Sequence, residues 1–187
     1  MEVVLEPVAG DEPAAVRLVR ASIAGDRGAF AALVEPHLAT ALGAAVVLTR
    51  SHADAADAVQ DALLSAWQGL DRLRDPVAFP AWFRTHVIRA ALRHAGRRGR
   101  VRELDMDGAA GVAAASSVER MAEQRLLARA FDRLDLDDRA LLTMRHLWDA
   151  PVAEVAEAFG IPAGTVKSRT HAAMDRLRAA YDAEARR

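Results

Sequence analysis

The 187-residue chain contains no cysteine. Disulfides and thiolate metal sites are therefore excluded, and a reducing cytosol is compatible with the composition. Aromatic residues make up only 5% of the chain, and alanine supplies much of the 52% hydrophobic fraction. Alanine is the best helix former, so this balance predicts an all-α chain. No uninterrupted apolar run reaches the roughly 18 residues that read as a bilayer span. The start, Met1 to Asp11, carries acids and lacks the basic opening of a signal peptide. No membrane insertion and a cytoplasmic location are the expectation. No segment alternates as a strand, and no internal repeat is found. A glycine-rich phosphate loop, a nucleophile elbow and paired catalytic acids are all missing, so neither enzymatic chemistry nor a cofactor is expected.

What is present is unevenly spread. The net charge is −1, but Arg84 to Arg102 holds seven arginines and no acid, which leaves −8 for the rest of the chain. A concentrated basic stretch inside an acidic frame is the pattern to examine in a nucleic-acid binder. Arg89, Arg93 and Arg97 are four apart and share one helical face, where like charges repel unless an anionic partner answers them.

Punctuation divides the chain. Residues 1–13 read as a mobile tail. A helix is predicted from about Ala14 to Ala24, ending at Gly25, and Asp26 can cap the next. That second helix carries Phe30, Leu33, Val34, Leu38, Ala41 and Leu42 at helical spacing, with Pro36 expected to kink or divide it. Ser51 opens a third helix with Val59, Leu63, Ala66, Trp67 and Leu70 on one face and Asp54, Asp57, Gln60 and Asp61 on the other. Asp71 to Ala78 reads as a loop, followed by a basic helix from Phe79 to about Ala95 that ends near Gly96. The acid- and glycine-bearing segment 100–115 reads as a flexible linker. Ser116 and Glu119 form a capping box for the helix that follows. Asp137 and Asp138 stand in the first turn of another, which is expected to run to about Trp148. The expected division is a tail, a first helical domain over 14–99, the linker, and a second helical domain over 116–187.

The most informative stretch is Val152 to Met174. Val152, Val155, Ala156 and Phe159 make a short apolar face, and Gly160-Ile161-Pro162 breaks the helix. A second helix then begins with Thr165, Lys167, Ser168, Arg169 and His171 near its start. Ala156 lets the two helices cross closely and Val166 can tuck between them. This is the helix-turn-helix arrangement, whose second helix enters the major groove. An αα-corner in any helical protein has the same spacing. The donors at Lys167, Ser168, Arg169 and His171, with no acid among them, favour DNA.

The segments Leu141 to Leu147, Val155 to Ile161 and Gly164 to Arg169 resemble the promoter-binding domain of extracytoplasmic-function (ECF, group IV) RNA polymerase sigma factors. Gly25 to Phe30, Asp54 to Trp67 and Phe79 to Arg84 resemble the family's N-terminal domain. Two motif sets in the family's order, spanning about Ala14 to Ala180, are more specific than either alone. The resemblance implies a sigma factor that binds core RNA polymerase at clamp and flap, recognises and melts the −10 promoter element, and reads the −35 element. It implies polymerase contact through Asp57, Gln60, Asp61, Leu64 and Trp67. It implies −10 and melting contacts through Trp82, Arg84, Arg89, Arg93 and Arg97, and −35 contacts through Thr165, Lys167, Ser168, Arg169 and His171. An anti-sigma factor is the family's typical inhibitory partner. Ala172, Arg89 and Pro151 depart from the family, which often has arginine, asparagine and a capping serine there.

Other constellations carry less. Asp54, Asp57 and Asp61 share a face, but no histidine joins them at ligand spacing, so no metal is expected. The six histidines are scattered, and only His171 has a suggestive position. Trp67 and Trp148 read as core, while Trp82 beside a basic helix can stack on unpaired bases. A free-standing helix-turn-helix regulator would explain Val152 to Met174 but not Asp54 to Trp67. A helical protein adaptor would leave the arginine stretch unexplained.

Overall fold

The computed structural model describes residues 13–101 and 118–186, and they are helical throughout apart from turns and short connections. The tail over 1–12, most of the linker and Ser116 of the capping box lie outside the described residues.

The first unit is built from four helices. α1 (Ala14–Ile23) is followed by Gly25 at φ +96° and by Asp26, whose Oδ1 accepts from the backbone N–H of Gly28 and Ala29. α2 (Arg27–Thr49) starts at that cap. It is one continuous helix across Pro36, where the sequence suggested a kink or a division. Leu33 and Val34 before the proline and Ala41, Ala45 and Leu48 after it are all buried in one core, and that shared burial holds both halves on one axis. By length and mean hydropathy, 1.6, α2 would pass for a membrane span, although no uninterrupted apolar run marks it. Here it is a core helix.

Arg50, left-handed at φ +59°, turns the chain, and Ser51 caps α3 (His52–Gly69) by accepting from Asp54 N–H. The segment expected as a loop forms two 3₁₀ turns, Leu70–Arg72 and Pro76–Ala78, the second capped by Asp75. α4 (Phe79–Val101) follows and runs through Gly96 instead of ending there. The arginines on both sides are good helix formers, and one internal glycine costs only about 1 kcal/mol. Phe79, Phe83, Val87, Ile88, Ala90 and Ala91 are buried, which fixes α4 against α2 and α3.

The second unit contains α5 (Val118–Asp132), α6 (Leu136–Leu142), α7 (Val152–Phe159) and α8 (Ala163–Ala185). Asp135 caps α6 through Asp138 N–H. The helix expected to reach Trp148 changes type at Thr143–Leu147, a π turn closed by Trp148 N–H donating to Thr143 O at 3.2 Å. Glu184 near the end of α8 receives Arg133 at 2.5 Å, and Arg176 pairs with Asp138 through both oxygens.

The two units do not stand apart. A single apolar cluster runs from Leu33, Val46, Phe83 and Val87 to Leu134, Leu141, Met144, Val155 and Val166. α6 and α7 rest on α4, and α6 also meets α2.

Candidate nucleic-acid interface

α7 and α8 form the helix-turn-helix expected from the sequence. Gly160 adopts φ +65°, ψ 34°, a left-handed conformation that costs glycine nothing and other residues about 1–2 kcal/mol. Ile161 N–H donates back to Ala156 O at 3.0 Å, closing the turn. Val166 is fully buried where the helices cross. Pro151 stands at the start of α7 and offers no side-chain cap.

Packing thereby fixes the outward face of α8. Lys167, Ser168, Arg169 and His171 are exposed within its first turns, and Thr165 is half-buried beside them. The His171 side chain is 81% exposed, with its Nε2 3.6 Å from Asp175. Ser168 Oγ donates to Thr165 O at 3.1 Å, which satisfies the hydroxyl until a better partner arrives. Arg169 also lines a small cleft with Asp135, Asp137, Asp138 and Arg176, so it faces acids of its own unit as well as solvent.

The basic helix divides into two sets. Arg89, Arg93 and Arg97 are exposed along one face, as their spacing predicts. Arg84 is not free. Its Nε and Nη2 donate to Oε1 and Oε2 of Glu154 on α7 at 2.7 and 2.6 Å, and that carboxylate is only 7% exposed. Arg89 donates through Nε to Ala158 O at 3.3 Å and through Nη2 to Glu157 O at 3.1 Å. Trp82 is half-buried, with its ring 4.2 Å from that of His86, whose Nδ1 meets Ser65 Oγ at 2.9 Å. Burial, and then the charges of Arg89 and Arg93, hold the His86 pKa below its ordinary 6.5.

The acidic face of α3 presents Asp57, Gln60, Asp61 and Leu64 together in the open. Leu64 is an exposed apolar side chain in their midst. Trp67 sits behind them, half-buried, edge-on to Phe30 at 5.1 Å. Asp61 Oδ2 is 2.9 Å from His94 Nε2 on α4. That hydrogen bond, which outweighs the small cost of burial, lowers the Asp61 pKa, and His94, Arg93 and Arg97 add their charge.

Sequence reasoning missed the residues that join the units. These are Glu154, Asp132, which lies 3.0 Å from Arg50, and Arg139, whose Nη2 reaches Leu48 O at 3.4 Å. Glu154 is one of two acids in α7, with Glu157, and nothing in its spacing names a partner 70 residues earlier.

Comparison with known proteins agrees with this geometry. The Sigma-70 region 2 family matches residues 33–101, and Sigma-70 region 4 matches 130–179. The ECF RNA polymerase sigma factor SigL of Mycobacterium tuberculosis is 34% identical over 131 residues, covering 67% of this chain and 73% of SigL. The RNA polymerase sigma-E factor of Streptomyces avermitilis is 30% identical over 125 residues, covering 67% and 69%. Among solved structures, CnrH in complex with the cytosolic domain of CnrY superposes with a TM-score of 0.65 at 26% identity, covering 91% of this chain and 98% of that one.

Proposed function

The chain belongs to the ECF RNA polymerase sigma factors, and from that membership we propose how its two helical units divide the work of promoter-directed transcription initiation. It is a transcription initiation factor, and the polymerase supplies the catalysis. In this reading it works in the cytoplasm, with core RNA polymerase and promoter DNA as partners. We include an inhibitory anti-sigma partner, since CnrH was solved with a bound protein, the cytosolic domain of CnrY.

The exposed donors on α8 carry the reading. Lys167, Ser168, Arg169 and His171 project from the second helix of a helix-turn-helix whose turn and crossing are fixed by Gly160 and Val166. Such side chains reach base edges or phosphates in a major groove. We assign them, with Thr165, to the −35 element. Trp82, Arg84, Arg89, Arg93 and Arg97 are assigned to the −10 element and to melting. The arginines hold phosphates, and the Trp82 ring offers a stacking surface for an unpaired base. Asp57, Gln60, Asp61, Leu64 and Trp67 are assigned to the polymerase clamp, where an apolar side chain ringed by polar ones suits a protein partner. The second unit also meets the polymerase flap. Residues 14–99 form the first working domain and 116–187 the second. Each is a weak binder by itself, and their linkage on one polymerase supplies specificity by effective concentration.

Transcription from a supercoiled promoter with core polymerase tests this. Arg93→Glu with Arg97→Glu is expected to abolish thymine reactivity to permanganate in the melted region while polymerase capture stays intact. Normal melting by that double variant would return α4 to a plain solvated face.

A further inference from the structure

We infer that Ser65 and His86 are positioning residues for promoter melting: together they hold the Trp82 indole in the orientation in which it stacks on an unpaired base. This rests on the assignment of Trp82 to the melted strand.

Trp82 and His86 are one turn apart on α4, so their side chains share a face. Their ring centroids lie 4.2 Å apart at an interplanar angle of 61°, an edge-to-face contact. Ser65, on α3, fixes the imidazole in turn. Its Oγ is 2.9 Å from His86 Nδ1, across 21 residues of sequence. Serine, imidazole and indole therefore form one chain of contacts from α3 to α4. Phe79 adds a further ring 6.0 Å from that of Trp82, and the indole edge lies against Gly69 at the end of α3. With all these contacts the indole is still only half-buried, and the rest of it is open to solvent.

Two observations separate orientation from plain core packing. The apolar side of α4 is sealed by Phe79 and Phe83, which are buried and stacked at 5.8 Å, whereas Ser65, Trp82 and His86 all stand at its edge, half-buried. A hydrogen bond at such an edge adds little net stability, but its directionality fixes the angle of a ring. The two helices are also pinned in register. His94 Nε2 on α4 is 2.9 Å from Asp61 Oδ2, one turn before Ser65 on α3, so the serine hydroxyl is delivered at a fixed height along α4. An unsupported tryptophan samples several staggered rotamers and loses that freedom when a base stacks on it. A ring already held in place avoids that ordering cost at the moment of melting.

The chain has three tryptophans, so labelling with 5-fluorotryptophan gives three fluorine resonances, and Trp82→Phe identifies the one from position 82. Ser65→Ala and His86→Ala are expected to move that resonance toward the value of an exposed indole and to leave those of Trp67 and Trp148 in place, a pattern that a general folding defect would not give. With saturating core polymerase on a supercoiled promoter, both variants should slow the appearance of permanganate-reactive thymines about fivefold, the size expected for ordering one side chain, with polymerase capture unchanged. Ser65→Thr, which keeps the hydroxyl, should restore both the resonance and the rate. Added to Trp82→Ala, Ser65→Ala should slow opening no further, because it acts through that ring. Slow opening by Trp82→Ala beside normal opening by Ser65→Ala and His86→Ala overturns the positioning role and leaves the assignment of Trp82 standing. An unmoved Trp82 resonance in Ser65→Ala overturns the positioning role as well. Normal opening by Trp82→Ala overturns the assignment of Trp82 itself, and the positioning role falls with it.

Discussion

At the scale of single residues, two half-buried histidines make stability depend on pH. Burial lowers the pKa of His86, helped by Arg89 and Arg93, and that of His37, helped by Arg84. His37 lies beside the rings of Phe79 and Phe83, about 6 Å away. Each is neutral in the fold and takes up a proton more readily in the unfolded chain. Stability is therefore full above 6.5, falls as pH drops below that value, and stops falling below the folded-state pKa. The urea midpoint is expected to decrease from about pH 7.5 to about pH 5.5, and His86→Gln should flatten part of that slope. Trp82 gives a local readout because its ring touches His86. Protonation should quench it, and the fluorescence change should vanish in Trp82→Phe. A midpoint level across that range would mean that both rings titrate as they do in water.

At the scale of the element, α8 is where the sequence was most legible. Gly160, Val166 and the run of donors from Lys167 to His171 mark its turn, its crossing point and its exposed end, and the structure has each in that role. Lys167→Ala, Ser168→Ala and His171→Ala are expected to weaken −35 recognition. A lost base contact costs about 1–3 kcal/mol and relaxes preference at one position. A lost phosphate contact weakens all sequences alike and lowers the salt slope. Promoter assays with each substituted −35 base separate the two, and no effect from any of the three would leave the motif structural. Other elements were less legible because local signals lost to packing. Pro36 reads as a break, but Leu33, Val34, Ala41 and Leu48 bury on both sides of it. Gly96 reads as an end, but the helix continues into arginines. The π turn at Thr143–Leu147 has no sequence mark, since one extra residue in a helical circuit leaves the apolar pattern nearly unchanged.

At the scale of the whole molecule, composition and motif order showed two helical units but not that they meet. Glu154 and Arg84 are each unremarkable in their own segments, and only the folded chain brings them together. The shared apolar cluster has a thermodynamic consequence. Units that share a core unfold together, so the protein is expected to give one calorimetric transition. Glu154→Gln should split or broaden it into two, and two separate transitions in the unaltered chain would show that the units are already independent. The shortness of α7 has a mechanical consequence. At eight residues it is only about 12 Å long and cannot bend to release α4 while holding α8 still. Glu184 on Arg133 and Asp138 on Arg176 tie α8 to the rest of the second unit, so that whole unit must turn as a rigid body. α8 has 23 residues and is about 35 Å long, so a rotation of about 20° at the α4 contact carries its far end through about 12 Å. The protein is thus a lever pivoting at α7: the far end of α8 sweeps widely, while the reading residues Lys167 to His171, in the first turns beside the pivot, shift little.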